Sequence, residues 1–467
     1  MLEERSSCKK VDPKRVYLVT MGCQMNVYDS EQMERILESV NYTPTSHVDK
    51  ADLIILNTCS IREKAEHKVY SYLGRLVRMK RRKPDLMIGV GGCVAQQEGC
   101  RLIERAPHVD VVFGTFAVKR LADLIGQVKA QKRPVVDVDQ TGSVEPSHMG
   151  LSATRAGRAT AYVTIMRGCD NFCTYCVVPY LRGREVSRIP RGILQEIERL
   201  VANGVREVTL LGQNVNAYGL RNGHGCDFPT LLGEVNRIKG LKRLRFTTSH
   251  PKDLSDELVG AFASLETLAP HIHLPVQCGA DRILRRMNRG YTRDDYLAGI
   301  EKLRKARPDI ALTSDIIVGF PGEEERDFEE TLRLVESVGF DNLYMFKYSD
   351  RPKTPASRFS HKVGEAVKRE RFSRLLDLQS QMTLEKHRSL VGSIQEVLVE
   401  GWSNKMDHQL RGRTACNKVV NFSDGAACVG QLVPVKIVEA FSHSLLGSRV
   451  KHSRPYSGDE GGILHAA

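Results

Sequence analysis

Three apolar runs near the N-terminus, VYLVTMGC (Val16–Cys23), DLIILNTC (Asp52–Cys59) and LMIGVGGC (Leu86–Cys93), each end at a cysteine. Unbroken apolar stretches of this length predict strands covered on both faces, which is the situation of a parallel sheet flanked by helices. Between them, Met33, Ile36, Leu37 and Val40 recur at helical spacing behind a cap at Asp29 or Ser30, and Val69, Tyr72, Leu73 and Leu76 form a second apolar stripe. VDVVFG and AVKRLADLIGQV add a fourth strand and another helix. The alternation predicts a doubly wound parallel α/β domain over residues 13–130. In such sheets ligands lie beyond the carboxyl ends of the strands, so Cys23, Cys59 and Cys93 are expected in one crevice. Packing as a small hydrophobe explains any one of these thiols but not the same address three times. The trio therefore predicts a metal site, with Gly22, Gly91 and Gly92 letting backbone approach a bulky ligand.

A stretch without periodicity, Gln140 to Thr160, predicts a linker. Alternation then resumes through YVTIM, REVTLLG, LKRLRFTTS, HIHLPVQ, ALTSDIIVGF and DNLYMFKYS, separated by helical patterns such as RGILQEIERLVANG and DELVGAFASL. Six strand and helix units in a row predict a partial (β/α)6 barrel over residues 155–386, whose working face is the carboxyl edge of its strands. After a charged helical stretch, SIQEVLVEGW, QLRGRTACNKVVNF and LVPVKIVEAF alternate with turn residues, predicting a small antiparallel β-barrel over residues 389–452. Arg411, Arg413, Lys418, Lys436, Arg449 and Lys451 decorate it. A basic barrel without a catalytic cluster suits a grip on RNA, with Arg411, Arg413 and Lys418 as contacts. The formal net charge of +13 agrees in sign with a polyanionic partner.

The first loop of the predicted central barrel carries RGCDNFCTYC (Arg167–Cys176), with Cys169, Cys173 and Cys176 close together. Structural zinc requires four closed ligands, usually as two pairs, and no second pair is near. A cubane of four irons needs one ligand per iron, so three cysteines leave one iron open to chelation by a small molecule bearing an amine and a carboxylate. Twelve cysteines in 467 residues are too few for a disulfide scaffold. Without a secretory leader or a run of apolar residues long enough to span a bilayer, the expected location is cytoplasmic, with no membrane association.

The CxxxCxxC spacing, with Tyr175 before its last cysteine, resembles the signature of the radical S-adenosylmethionine enzymes. RGCDNFCTYCVVPYLRGREVSR is similar to the methylthiotransferases among them, in particular the branch acting on N6-dimethylallyladenosine in tRNA. MGCQMNVYDSE, NTCSIREKAEHKV, VGGCVAQQEG, LLGQNVNAYG, HLPVQCG and DIIVGFPGE resemble that family's blocks in order, and the C-terminal barrel resembles its TRAM module. The resemblance implies two 4Fe-4S clusters, a radical-initiating one on Cys169, Cys173 and Cys176 and an auxiliary one on Cys23, Cys59 and Cys93. It also implies S-adenosylmethionine across the central strand ends, with Tyr175, Gly212, Gln213, Asn214, Gln277 and Asp315 as candidate contacts. Cys8, Cys100, Cys226, Cys278, Cys416 and Cys428 fit neither trio.

The implied reaction replaces the hydrogen on carbon 2 of a prenylated adenine with a methylthio group. It would use a 5'-deoxyadenosyl radical, a second S-adenosylmethionine as methyl donor and the auxiliary cluster for sulfur. Acid and base groups cannot exchange that hydrogen, so a cofactor must carry the step. Expected partners are a tRNA anticodon stem-loop bearing the prenylated adenosine and a low-potential donor such as flavodoxin or ferredoxin, with the enzyme a monomer. Sister activities on threonylcarbamoyladenosine or on a ribosomal protein are the alternatives.

Overall fold

The computed structural model describes residues 12–60, 63–141, 157–221, 225–403, 408–423 and 427–450. Cys8, Lys451 and most of the expected linker lie outside the described residues. The chain divides into two compact units, one ending at Thr383 and one beginning at Leu384.

The first unit opens with six parallel strands, β1 (Lys14–Thr20), β2 (Tyr42–Pro44), β3 (Leu53–Thr58), β4 (Met87–Gly92), β5 (Val111–Phe113) and β6 (Val135–Asp137), in the order β2-β1-β3-β4-β5-β6. Every pairing is parallel. The helices are α1 (Gln24–Glu38), α2 (Glu63–Arg82), α3 (Cys93–Glu98), α4 (Cys100–Arg105) and α5 (Leu121–Gln131). This is the predicted doubly wound domain, with two three-residue edge strands, β2 and β6, that carry too short an apolar signal to be read from sequence. All six residues of β3 and of β4 are buried, which is why their runs lack alternation. Met33, Ile36 and Leu37 face one core with Leu53 and Phe113, while Val69, Leu73 and Leu76 face another with Ile54 and Val90. The predicted stripe overshoots by two residues: α1 stops at Glu38, and Val40 is exposed.

The same unit continues with β7 (Thr160–Thr164), the short antiparallel pair β8 (Met166–Arg167) and β9 (Val186–Ser187), then β10 (Glu207–Leu211), β11 (Arg243–Thr247), β12 (His271–His273), β13 (Ala311–Val318) and β14 (Asn342–Lys347). β11-β10-β7 and β12-β13-β14 are parallel trios, and a bridge from Leu244 to Leu268 joins them into one curved run, the partial barrel expected. Outside it lie α7 (Pro190–Ala202), α8 (Phe228–Asn236), α9 (Asp256–Ser264) and α10 (Asp281–Arg286), while α6 (Val178–Arg182) packs against α3. Ile193 and Ile197 of α7 and Leu258 and Phe262 of α9 pack into one core with Val208, Leu244 and Ile316. Each such side chain contributes about 1.5–3 kcal/mol of burial energy. On β13 the pleat turns Ser314 and Ile316 outward to the helices, whereas Thr313 and Asp315 meet His273 on the other face.

The two α/β halves pack against each other through α1. Met25, Tyr28 and Leu211 form a shared apolar cluster, and Tyr28 Oη donates to Glu196 Oε1 at 3.4 Å.

The second unit is a closed barrel of β15 (Ile394–Trp402), β16 (Leu410–Thr414), β17 (Val419–Ser423), β18 (Leu432–Ala440) and β19 (Leu445–Arg449), around Val397, Val399, Val420, Phe422 and Val435. Four of its five pairings are antiparallel, as expected, and β17 with β19 closes it in parallel.

Candidate active site and metal centres

Cys23 follows β1, Cys59 follows β3 and Cys93 follows β4, three neighbouring strands of one sheet. The expected convergence is observed, since Cys59 lies close enough to both Cys23 and Cys93 for the three thiols to shift one another's titration. A ladder of buried polar groups fixes these strand ends. Asn26 Nδ2 donates to Asn57 Oδ1 and to the Thr58 carbonyl, both at 3.0 Å, and Asn57 Nδ2 donates to the Asn26 carbonyl (2.8 Å) and Ser30 Oγ (2.9 Å). The cap expected at Asp29 or Ser30 is therefore displaced. Cys23 itself precedes the helix, and the two polar residues are buried inside α1 because each has a tertiary partner.

The glycines are used for packing more than for ligand access. A Cβ at Gly91 would fall 2.4 Å from the Phe113 ring, and one at Gly22 would fall 2.7 Å from Cys59 Cβ.

The neighbouring Cys59, assisted by Arg182, pulls the thiols of Cys23 and Cys93 down to about 6 despite their burial, while Cys59 is pushed up by its two neighbours. Both downward shifts favour the thiolate, the form that binds metal.

The second trio lies in the loop between β8 and α6. Gly168 opens it at φ +78°, where a Cβ would fall 1.9 Å from the Arg184 carbonyl oxygen, so only glycine fits. Burial pushes Cys169 up to about 11 and Cys176 up to about 12. Cys173 receives Arg289 Nη1 at 3.4 Å. Val177, next to Cys176, packs with Leu181 against Cys93, so the segment from Cys173 to Arg182 bears on both trios.

Among the described residues no group of Cys, His, Asp and Glu is arranged to hold a single metal ion. A lone ion needs ligands about 2.3 Å away, whereas a cubane distributes its thiolates over separate irons. The donor set, thiols only and in threes, fits the latter.

The expected cofactor contacts divide. Gly212 lets β10 close on Met166, whose Cγ would be 2.5 Å from an added Cβ. Gln213 Oε1 accepts from the Gly168 amide at 2.6 Å and so holds the cysteine loop. Asn214 is buried with Nδ2 on Asp253 at 2.7 Å, and its Oδ1 has no partner. Gln277, at φ +76°, bridges to β13 through its backbone, and Asp315 lies 3.4 Å from His273 Nε2. Tyr175 Oη meets Arg289 Nη1 at 3.4 Å.

Several residues at the same edge were not expected. Ser249 Oγ and His250 Nε2, just beyond β11, are buried without a partner, as is Asn214 Oδ1 beyond β10. Burial, then Arg289 and Lys252, push His250 down to about 2, so its ring is neutral. Unpartnered buried polar atoms at neighbouring strand ends suit a polar ligand. A groove of about 580 Å³ lined by Glu198, Arg206, Glu234 and Arg237 lies at the opposite, amino-terminal edge of β10 and β11, away from this chemistry.

On the second unit, Arg411 and Arg413 both turn to one carboxylate, Glu400, at 3.7 and 3.0 Å, and Lys418 is half-buried.

Residues 15–114 match the family described as Uncharacterized protein family UPF0004, residues 163–335 the Radical SAM superfamily and residues 388–450 the TRAM domain. The tRNA-2-methylthio-N(6)-dimethylallyladenosine synthase of Desulfosudis oleivorans is 50% identical over 97% of this chain and 100% of its own length. The chain belongs to the tRNA-2-methylthio-N(6)-dimethylallyladenosine synthase family. The synthase of Geobacter metallireducens is 51% identical over 93% of this chain and 98% of its own. Among solved structures, the radical S-adenosylmethionine methyltransferase TsrM from Kitasatospora setae superposes with a TM-score of 0.53 at 14% identity, covering 85% of this chain and 81% of that one. That likeness concerns the fold alone. In this member of the synthase family, both cysteine trios lie in a single compact unit, with the segment from Cys173 to Arg182 reaching from one to the other.

Proposed function

We propose that this enzyme converts N6-(dimethylallyl)adenosine beside the anticodon of tRNA to its 2-methylthio derivative. The observation that carries the reading is the pair of cysteine trios joined by the segment from Cys173 to Arg182, in a chain half identical to named synthases over nearly its full length. Cys169, Cys173 and Cys176 would hold one 4Fe-4S cluster and Cys23, Cys59 and Cys93 a second. When bound, these groups and S-adenosylmethionine supply the one-electron chemistry and the sulfur that acid and base groups cannot.

The chain's own residues orient and shelter. Gln213 and Gly168 shape the cysteine loop. Asn214, Ser249 and the neutral His250 offer unpartnered atoms to S-adenosylmethionine at the strand ends, with Tyr175, Gly212, Gln277 and Asp315 bordering the same edge. The barrel after Leu384 would grip tRNA phosphates through Arg411, Arg413 and Lys418 without reading bases. Working domains of 13–130, 155–386 and 389–452, a monomeric state, a flavodoxin or ferredoxin donor and a cytoplasmic location complete the proposal. Among the described residues no helix is long and apolar enough to cross a membrane.

The test incubates anaerobically reconstituted protein with reductant, S-adenosylmethionine and prenylated or unprenylated tRNA, and weighs the nucleosides. A methylthio product on prenylated tRNA alone is expected. Equal modification of both substrates, or none with S-adenosylmethionine intact, rejects the assignment.

A further inference from the structure

The stretch RMNRGYT (Arg286–Thr292), which begins at the last residue of α10, grips the cysteine loop at five consecutive residues. Asn288 Nδ2 donates to the carbonyls of Asn171 (3.3 Å) and Phe172 (3.2 Å). Arg289 Nη1 donates to Cys173 Sγ and to Tyr175 Oη, both at 3.4 Å. Thr174 donates from its amide to the Met287 carbonyl and from its hydroxyl to the Arg286 carbonyl, both at 3.0 Å. Asn288 at φ +59° and Gly290 at φ +69° flank Arg289, and the reversals send its side chain beneath the loop.

Arg289 is fixed from the other side as well. Its Nη2 donates to the Pro275 carbonyl at 2.6 Å and its Nε to Tyr291 Oη at 2.9 Å, while Tyr291 Oη donates to the Val276 carbonyl at 2.8 Å. The residue is 4% exposed. Among the described residues no carboxylate pairs with it. A buried cation without a counter-anion costs several kcal/mol, yet here the chain provides only a cysteine sulfur, two phenols and a carbonyl. The missing negative charge is the kind that three thiolates on an iron-sulfur core would bring.

We propose that Arg289 is a positioning residue and the counter-cation of the cluster held by Cys169, Cys173 and Cys176. It rests on the reading of that trio given above. A cation and an N–H donor at a ligand sulfur favour the reduced, more negative state, so Arg289 raises the reduction potential of the cluster.

The experiment is a redox titration of the reconstituted full-length protein followed by electron paramagnetic resonance, reading the signal that changes on adding S-adenosylmethionine. In R289Q the ratio of reduced to oxidised cluster at a fixed solution potential should fall about tenfold, or ~59 mV for one electron. R289K, which keeps the charge but not the planar fork, should lie between R289Q and the parent. N288A, which removes only loop contacts, should lower the iron bound without moving the potential of the cluster that forms. An R289Q potential equal to the parent's overturns the proposal. Should R289Q hold no iron, R289K decides: iron retained at a near-parental potential supports the counter-charge, and equal loss overturns it. Absence of any signal responsive to S-adenosylmethionine in the parent protein would instead fault the cluster assignment itself.

Discussion

Asp29, midway along α1, and Arg182, the last residue of α6, form an ion pair 3.2 Å apart with side chains 10% and 5% exposed. The pair crosses from the sheet that carries Cys23, Cys59 and Cys93 to the segment that follows Cys176. Arg182 also favours the anionic form of the Cys93 thiol, so one guanidinium serves the seam between the two halves and a thiol of the first trio. Its own protonation is reinforced by Cys93 and Asp29, which outweigh its burial.

Removing one partner of a buried pair strands the other charge. D29A is expected to destabilise the protein by about 3–5 kcal/mol, and R182M by a similar amount. The double variant D29L/R182M should recover part of that loss, because neither charge of the pair is then stranded. Urea unfolding of the three variants checks this, and additive losses in the double variant would show that the pair acts only through shape.

Glu185 sets a pH dependence. It is 8% exposed and its Oε1 has no partner. Burial, aided by repulsion from Asp170 and Asp253 and opposed by Arg221, lifts its carboxyl from 4.5 to about 7. A carboxyl whose folded value is raised binds its proton more tightly in the native state. Its contribution is full below 4.5 and is lost as pH rises through about 7. At ~1.4 kcal/mol per pH unit the effect is roughly 3 kcal/mol. E185Q should therefore match the parent near pH 5 and exceed its stability near pH 8.5. Parallel unfolding curves for the two proteins across that range would remove Glu185 as the cause.

Glu400 limits the charge that the terminal barrel can offer to RNA, since it is ion-paired with both Arg411 and Arg413. E400Q should free that charge, tighten tRNA binding and steepen the fall of log K with log salt by ~0.7–0.9 for each additional phosphate neutralised. R411A/R413A/K418A should weaken binding and flatten the slope. A slope unchanged in both variants rejects this face of the barrel as the grip.

Much of this was legible in the sequence because it depends on runs and spacing. Apolar runs ending at Cys23, Cys59 and Cys93 specify parallel strands whose ends must be neighbours, and parallel registry brings the thiols together. Short edges such as Tyr42–Pro44 were not legible, since three residues carry no periodicity. Nor were the roles of Arg182, Glu185 and Arg289. RGREVSR and RMNRGYT look like solvated charge in one dimension, and only the fold reveals that these residues are buried. The paired glycine and asparagine around Arg289 are the one local hint, as both residue types tolerate positive φ. Asp29 misled in the opposite direction: as a cap former near a helix start it suggested a terminus, whereas its partner is far away in sequence.

Gly168 supplies the sharpest test of the loop that carries the second trio. At φ +78° a side chain is strained by ~1–2 kcal/mol before any contact is counted, and its Cβ would lie 1.9 Å from the Arg184 carbonyl oxygen and 2.6 Å from that of Gly183. Both obstacles are backbone, so the loop must move. Its amide would then lose Gln213 Oε1, and Cys169, the next residue, would leave its place. The strands that end at Cys23, Cys59 and Cys93 have separate supports in Asn26 and Asn57. G168A is therefore expected to bind about half the parent's iron after reconstitution, losing the signal responsive to S-adenosylmethionine while keeping the other. Q213A, which removes the hydrogen bond and leaves the glycine, should show a milder loss of the same signal. Equal depletion of both signals in G168A would mean that the two trios do not load independently.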